Sequence, residues 1–341
     1  MRYTIKSSIK LILIFVILIC SGCSPGYVIR AAYEHSGILW RRVTIEKQLQ
    51  STETPSEIKA KLALILRARE YASKLGFTTN KNFTKYSPYE RDALAWIVVG
   101  ARKDSFELKT WWFPIVGTVP YKGFFEREDA LTLAKELQNE DFETSVRPTV
   151  AFSTLGWFND PVITPMLKLS DISITETIFH ELFHSTLWVP GAVSFNESLA
   201  NFIGLKATLS FCAQQSENCL QQAQENERKE FALARAINKL TERLKHIYVS
   251  ELSKQEKLIR KQQVFDEELT ELKQSFPNLG ILKTANNAEI MQLQIYLENF
   301  EEMERGFERC GGDVQRFVRG LRDVGHEDLD AKVFEDRRLC G

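Results

Sequence analysis

The sequence predicts an α+β protein that is mostly helical. A small sheet in the N-terminal half is followed by a helix carrying two histidines four residues apart, and then by a helical C-terminal body. Three observations carry this reading. Aromatic and β-branched residues gather in short runs between residues 89 and 160, punctuated by Pro114, Gly117 and Gly123. His180-Glu181-Leu182-Phe183-His184 lies where Ile174, Ile178, Leu182 and Leu187 recur at helical spacing. Residues 225–275 are densely charged and almost free of Gly and Pro, as long amphipathic helices with solvated faces are. Apolar residues at 44% and charged residues at 26% of 341 place the chain among folded proteins rather than disordered ones. A mean hydropathy of −0.23 excludes a multi-span membrane protein. The net charge of −1 offers no basic footprint, so nucleic acid is not an expected partner.

Taken in order, residues 1–22 read as an export signal. Arg2, Lys6 and Lys10 precede an unbroken apolar run, Leu11 to Ile19, about half the roughly 20 residues that span a bilayer. Ser21-Gly22-Cys23 resembles a bacterial lipobox, with Cys20 where such boxes commonly carry Leu. The expectation is a lipoprotein, fatty-acylated at Cys23 and anchored in the bacterial cell envelope. Ser24 rather than Asp after the cysteine favours the outer membrane, facing the periplasm. Removing residues 1–22 takes away three cations and no acid, so the net charge falls from −1 to −4. Four cysteines then remain available, an even number in an exported chain, which points to disulfides. Cys212 with Cys219 and Cys310 with Cys340 is the local pairing, one of three possible.

Residues 23–88 read as an N-terminal helical segment. Tyr27, Ile29, Tyr33, Leu39 and Trp40 lead into an amphipathic run from Glu57 to Leu75, with Gly76 as its stop. Residues 89–205 read as the core. Strands are expected at 95–99, 110–113 and 119–121, a helix near 128–138, and a further strand at 149–153. Asp171 or Ser173 is placed to cap the histidine helix, and Pro190-Gly191 to break the chain after it. Asn196 is the expected cap of the next helix, which would point Glu197 back at the histidines. Residues 206–341 read as a helical region completing the site, interrupted at Pro277, Gly280, Gly311-Gly312 and Gly320.

The chemistry concentrates in His180, Glu181, His184 and Glu197. Two histidines at i and i+4 share one helix face and can bind one metal ion, while the glutamate between them can act on a water that the ion holds. In a chain with 5 His the motif arises by accident roughly 0.01 times. A lone histidine is ordinarily a packed polar residue, and His35, His246 and His326 are read that way. A His₂Glu set leaves the fourth position of a tetrahedral zinc open, as in catalytic sites, whereas structural sites close with four protein ligands. One Zn²⁺ is the expected cofactor.

His-Glu-x-x-His followed by Asn-Glu-x-x-Ala resembles the gluzincin metallopeptidases. A closer resemblance, covering about Gly26 to Gly320, is to the bacterial putative aminopeptidase family of envelope lipoproteins. It rests on residues 109–117, 119–125 and 153–161, on Phe179 to His184 and Phe195 to Ala200, and on Thr284-Ala285-Asn286-Asn287-Ala288 with Tyr296. The resemblance implies a zincin-type fold and a zinc-dependent peptidase, an aminopeptidase by the family's name, with a peptide as substrate. In that reading His180, His184 and Glu197 ligate zinc and Glu181 is the general base. A tyrosine supplies the second oxyanion donor, Tyr296 being preferred over Tyr248. Residues 153–156 can hold an extended substrate by strand addition, and Trp111, Trp112 and Trp157 can line subsites. The alternative is a non-catalytic zinc-binding envelope lipoprotein acting as a binding or chaperone-like module.

Overall fold

A computed structural model describes residue 34 and residues 36–113, 117–150, 159–275, 286–324 and 330–340. The export signal, Cys23, His35, residues 153–156, Trp157, residues 284–285 and His326 lie outside them.

The region expected to be helical from the start contains strands as well. Val43–Thr44 (β1) leads into helix α1 (Ile45–Gln50), whose first turn is capped by the Thr44 side chain. Helix α2 (Ser56–Lys74) buries Leu62, Ile65, Ala68 and Ala72, an i, i+3, i+4 stripe that the sequence pattern anticipates. It ends at Gly76, whose φ of +88° is a conformation that residues with a Cβ avoid. Lys85–Ser87 (β2) then pairs antiparallel with β1 and parallel with Val162–Ile163 (β8), giving a first three-stranded sheet in the order β1-β2-β8. Strands of two or three residues carry too little periodicity to stand out from their surroundings.

The second sheet is built on Ala95–Arg102 (β3), flanked by Lys122–Phe124 (β6) and Phe142–Thr149 (β7) in the order β6-β3-β7, all antiparallel. The side chains of β3 alternate between two covers. Val98 packs with Ala130, Ala134 and Leu137 of helix α3 (Arg127–Asn139), while Val99 and Ala101 pack on Ala288 of helix α8 (Asn287–Leu297). The strand expected at 149–153 thus begins earlier and reaches Thr149. Its polar sequence suits an edge position, and so does Pro148, which has no N–H to donate. Trp111–Phe113 (β4) and Gly117–Val119 (β5) form a separate hairpin.

Among the described residues, six further helices make the body: α4 (Asp171–His184), α5 (Val193–Cys212), α6 (Glu217–Tyr248), α7 (Lys254–Ser275) and, after α8, α9 (Phe300–Arg309) and α10 (Val314–Val324). The charged run of 225–275 is thus two helices. They are tied together by Arg243 bridging Glu267 and Glu268, and by Lys239 on Glu268. Cys212 is bonded to Cys219, and Cys310 to Cys340. One apolar core runs from Ile38 to Leu339 and includes the fully buried rings of Phe179, Phe183, Phe202, Phe300, Phe317 and Phe334. Helix α4 lies inside it, between α2 and α5.

Candidate active site

Helix α4 starts one residue before the caps expected for it: Ser170 accepts a hydrogen bond from the Ser173 N–H, so neither Asp171 nor Ser173 is the cap. Asp171 instead stands in the first turn, where a negative charge complements the helix dipole. From there 3.6 residues per turn carry Ser173, Glu176, Thr177, His180, Glu181 and His184 onto one wall of a cavity of about 480 Å³. Helix α5 supplies the third side of the site, and it also begins earlier than expected, at Val193. Asn196 lies within this helix rather than capping it. Its side-chain amide clamps the preceding loop by accepting from the Val189 N–H (2.8 Å) and donating to the Val189 carbonyl (2.7 Å). The clamp holds the α4–α5 connection closed, and Glu197 beside it points back at the histidines.

The donor atoms converge. His180 Nε2 and His184 Nε2 are 3.0 Å apart, and Glu197 Oε2 lies 3.3 Å from the first and 3.5 Å from the second. Tetrahedral ligands about 2.0–2.1 Å from one ion would stand about 3.3–3.4 Å from one another, so these residues fit a zinc-sized cation. Two observations strengthen the fit. Two imidazole nitrogens aimed at one point have little to offer each other, but both suit a cation between them. Glu181 Oε2 and His184 Nδ1 are buried without a hydrogen-bond partner among the described residues, the former in the cavity wall.

Burial pushes the Glu181 carboxyl up to about 8; the charges of Glu197 and Asp160 add to this and His180 opposes it. Glu197 shows the reverse balance. Its burial works upward, but His184 and His180 on either side hold its carboxyl well below the usual range. The two glutamates are therefore set apart by environment, one kept ionised as a ligand should be, the other disposed to hold a proton.

Tyr296, on α8, lines the cavity with its ring centroid 6.3 Å from that of His180. Tyr248 does not reach it: its hydroxyl donates to Asn287 Oδ1 at 2.7 Å. The Asn286-Asn287 pair explains how Tyr296 is presented. Asn286 caps α8, while Asn287 donates to the Arg102 carbonyl and receives the Tyr248 hydroxyl, tying this helix to the sheet. Of the tryptophans proposed for subsites, Trp111 packs against the α3 side of the sheet and Trp112 is half exposed; neither lines the cavity. Trp188 does, with its ring edge-on to His184 at 5.3 Å.

Sequence reasoning missed Tyr121, Arg147, Glu176, Asn201 and Trp188, all of which line the cavity. Arg147 of β7 lies over the Tyr296 ring at 5.2 Å. Tyr121 and Tyr296 both have phenols raised by burial first and by the Glu197 charge next, with Arg147 opposing, so both stay protonated and able to donate. A signal for Tyr121 existed, since it lies inside the 119–125 stretch. Glu176 and Asn201 had one too, since each stands four residues from a donor on its own helix, Glu176 before His180 and Asn201 after Glu197. Arg147 had none, because nothing local marks a residue brought in from another element.

Fold and site together define a helical α+β protein in which two histidines and a glutamate on two successive helices could hold one metal ion, with a buried glutamate between the histidines. The chain belongs to the family described as putative aminopeptidase, whose profile matches residues 26–332. No curated protein and no solved structure matches it.

Proposed function

We propose that this protein is a zinc-dependent peptidase, in keeping with its family an aminopeptidase, which hydrolyses peptide bonds at the His180–His184–Glu197 centre. The observation that carries the reading is the convergence of three donor atoms, two of them on buried residues, beside Glu181 Oε2, which has no hydrogen-bond partner among the described residues. Two imidazoles and one carboxylate suit zinc, which supplies Lewis-acid activation of a water molecule and of the substrate carbonyl. Glu181 takes the proton of that water and returns it to the leaving amine nitrogen. A nearby divalent charge favours the ionised form of Glu181, offsetting the burial that raises it. The Tyr296 hydroxyl donates to the oxyanion as the carbonyl becomes tetrahedral, and Tyr121 is placed to assist. Ile97, Val99, Leu169 and Ile295 line the same cavity with apolar surface and limit water around the reacting bond. The N-terminal pattern supports a lipid anchor at Cys23 and a place at the outer membrane facing the periplasm. Labelling with a radioactive fatty acid, lost in Cys23→Ser, tests the anchor.

The test of the activity is mass spectrometry of a peptide library digested by the zinc-loaded protein, with and without chelator. Glu181→Gln is expected to retain zinc and lose at least about 100-fold in turnover. Glu197→Gln is expected to weaken zinc binding, with activity partly restored by added metal. His180→Ala and His184→Ala should lose the metal. If the zinc-loaded wild type cuts no peptide, the reading is wrong.

A further inference from the structure

Glu176 is a buried carboxyl that the proposed hydrolysis does not use. It stands one turn, about 5–6 Å along the axis, before His180 on α4 and lines the same cavity as the metal donors. Its Oε1 accepts from Asn226 Nδ2 at 2.7 Å, and among the described residues its Oε2 takes no hydrogen bond. Its electrostatic neighbours are Asn226 and a second carboxyl, Glu230 of α6, which is itself largely withdrawn from water and raised by that burial. No lysine, arginine or histidine among the described residues pairs with either. Elsewhere in the chain acids of comparable burial do have cations: Glu268 has Arg243 and Lys239, and the half-buried Glu143 has Lys261. A glutamine would keep the bond to Asn226 without the cost of a buried acid, so Glu176 and Glu230 together leave this end of the cavity short of positive charge. Burial and Glu230 push Glu176 up to about 8, which a bound cation would reverse.

We infer that Glu176, backed by Glu230, forms a subsite that receives a positively charged group of the substrate, so that the enzyme takes peptides with an ammonium or guanidinium group next to the bond it cuts. The inference rests on the peptidase reading and names the substrate class of that site. Two sources share this chemistry, the free α-amine of the peptide and a Lys or Arg side chain. Glu176 Oε2 is the accepting atom in either case, and Asn226 holds the carboxyl in place through Oε1.

The experiment uses the full zinc-loaded chain and four versions of one peptide that it cuts. The N-terminus is free or acetylated, and the residue flanking the cut bond is Lys or norleucine. Removing the recognised charge is expected to lower kcat/KM at least about tenfold in the wild type, as loss of a charge-assisted hydrogen bond does. In Glu176→Gln that ratio should shrink towards one. Sensitivity to acetylation alone assigns the subsite to the α-amine; sensitivity to norleucine alone assigns it to the side chain. Should Glu176→Gln fold poorly, Glu230→Gln is the second variant, and a charge ratio that stays at the wild-type value in the folded variant overturns the assignment to this pair. Cleavage that depends on neither charge overturns this inference and leaves the peptidase reading standing. Failure to cut any peptide of the library overturns the peptidase reading, and this inference with it.

Discussion

Single residues divide the work of this site according to what surrounds each of them. Tyr296 and Tyr248 are both buried phenols, yet Tyr296 lines the cavity while the Tyr248 hydroxyl is spent on Asn287. Tyr296→Phe is therefore expected to lower kcat by about 100- to 1,000-fold with zinc content intact, the loss typical of an oxyanion donor. Tyr248→Phe should leave kcat alone and cost about 1–3 kcal/mol of stability, because it strands a buried acceptor. Steady-state kinetics and urea unfolding of the two variants separate these outcomes. Glu176 carries a pH dependence. Burial and the neighbouring Glu230 push its carboxyl up to about 8, well above the ordinary carboxylate range. A carboxyl raised on folding contributes its full stability below the unfolded value, and that contribution is lost as pH rises through the folded one. Metal-free wild type should thus lose stability relative to Glu176→Gln between about pH 5 and pH 8. Thermal midpoints of both proteins across that range read the difference directly, and parallel curves would contradict it.

Between elements, the critical contact is the one joining the two helices that carry His180, His184 and Glu197. Gly204 of α5 faces α4 so closely that a Cβ there would meet the Glu176 carbonyl oxygen at 3.1 Å and His180 N at 3.6 Å. The missing side chain lets α5 approach α4 closely enough for Glu197 and His180 to share one point. Gly204→Val is expected to push the helices apart, costing about 1–3 kcal/mol of stability and raising the zinc dissociation constant. Chelator competition alongside denaturant unfolding measures both, and a variant that binds zinc like wild type would show that the spacing is set elsewhere. A similar dependence holds for α8. Its cap Asn286 and the buried Asn287 fix its N-terminal end against the sheet, and Ser145 of β7 donates to Gln292 one turn before Tyr296.

Across the whole molecule, the C-terminal segment reaches back to the site. Phe334 stacks on Phe195, two residues before Glu197, and also on Phe317, while the Cys310–Cys340 bond holds the end of the chain to α9. This bond closes a loop of 30 residues, worth about 3–4 kcal/mol in the chain-entropy model. The double variant Cys310→Ser, Cys340→Ser should unfold at lower urea by about that free energy, because its unfolded chain gains the freedom of the open loop. Mass spectrometry after alkylation of the unreduced mature protein is expected to find Cys212, Cys219, Cys310 and Cys340 unmodified. Four modified thiols would contradict the pairing.

How much of this was legible depends on how local each feature is. The histidine helix, the stripe of α2 and its stop at Gly76 follow from spacings within one element, and periodicity reports such spacings directly. Glu197 was legible because only one loop separates its helix from His184. Even there the detail differed, since Asn196 serves as a loop clamp and not as a cap. The two-residue strands were not legible, because pairing with distant partners and not their own pattern makes them strands. Arg147, Tyr121 and Tyr296 enter the cavity from β7, from the turn before β6 and from α8, and Glu176 acquires its environment from α6. The sequence by itself determined the pairing of His180 with His184 and the helix that presents it, because backbone geometry alone puts residues four apart on one face. Only the tertiary structure decided which tyrosine lines the cavity and which carboxyls there are left without a cation. Both are matters of burial, and burial is a property of the packed molecule rather than of any segment of its chain.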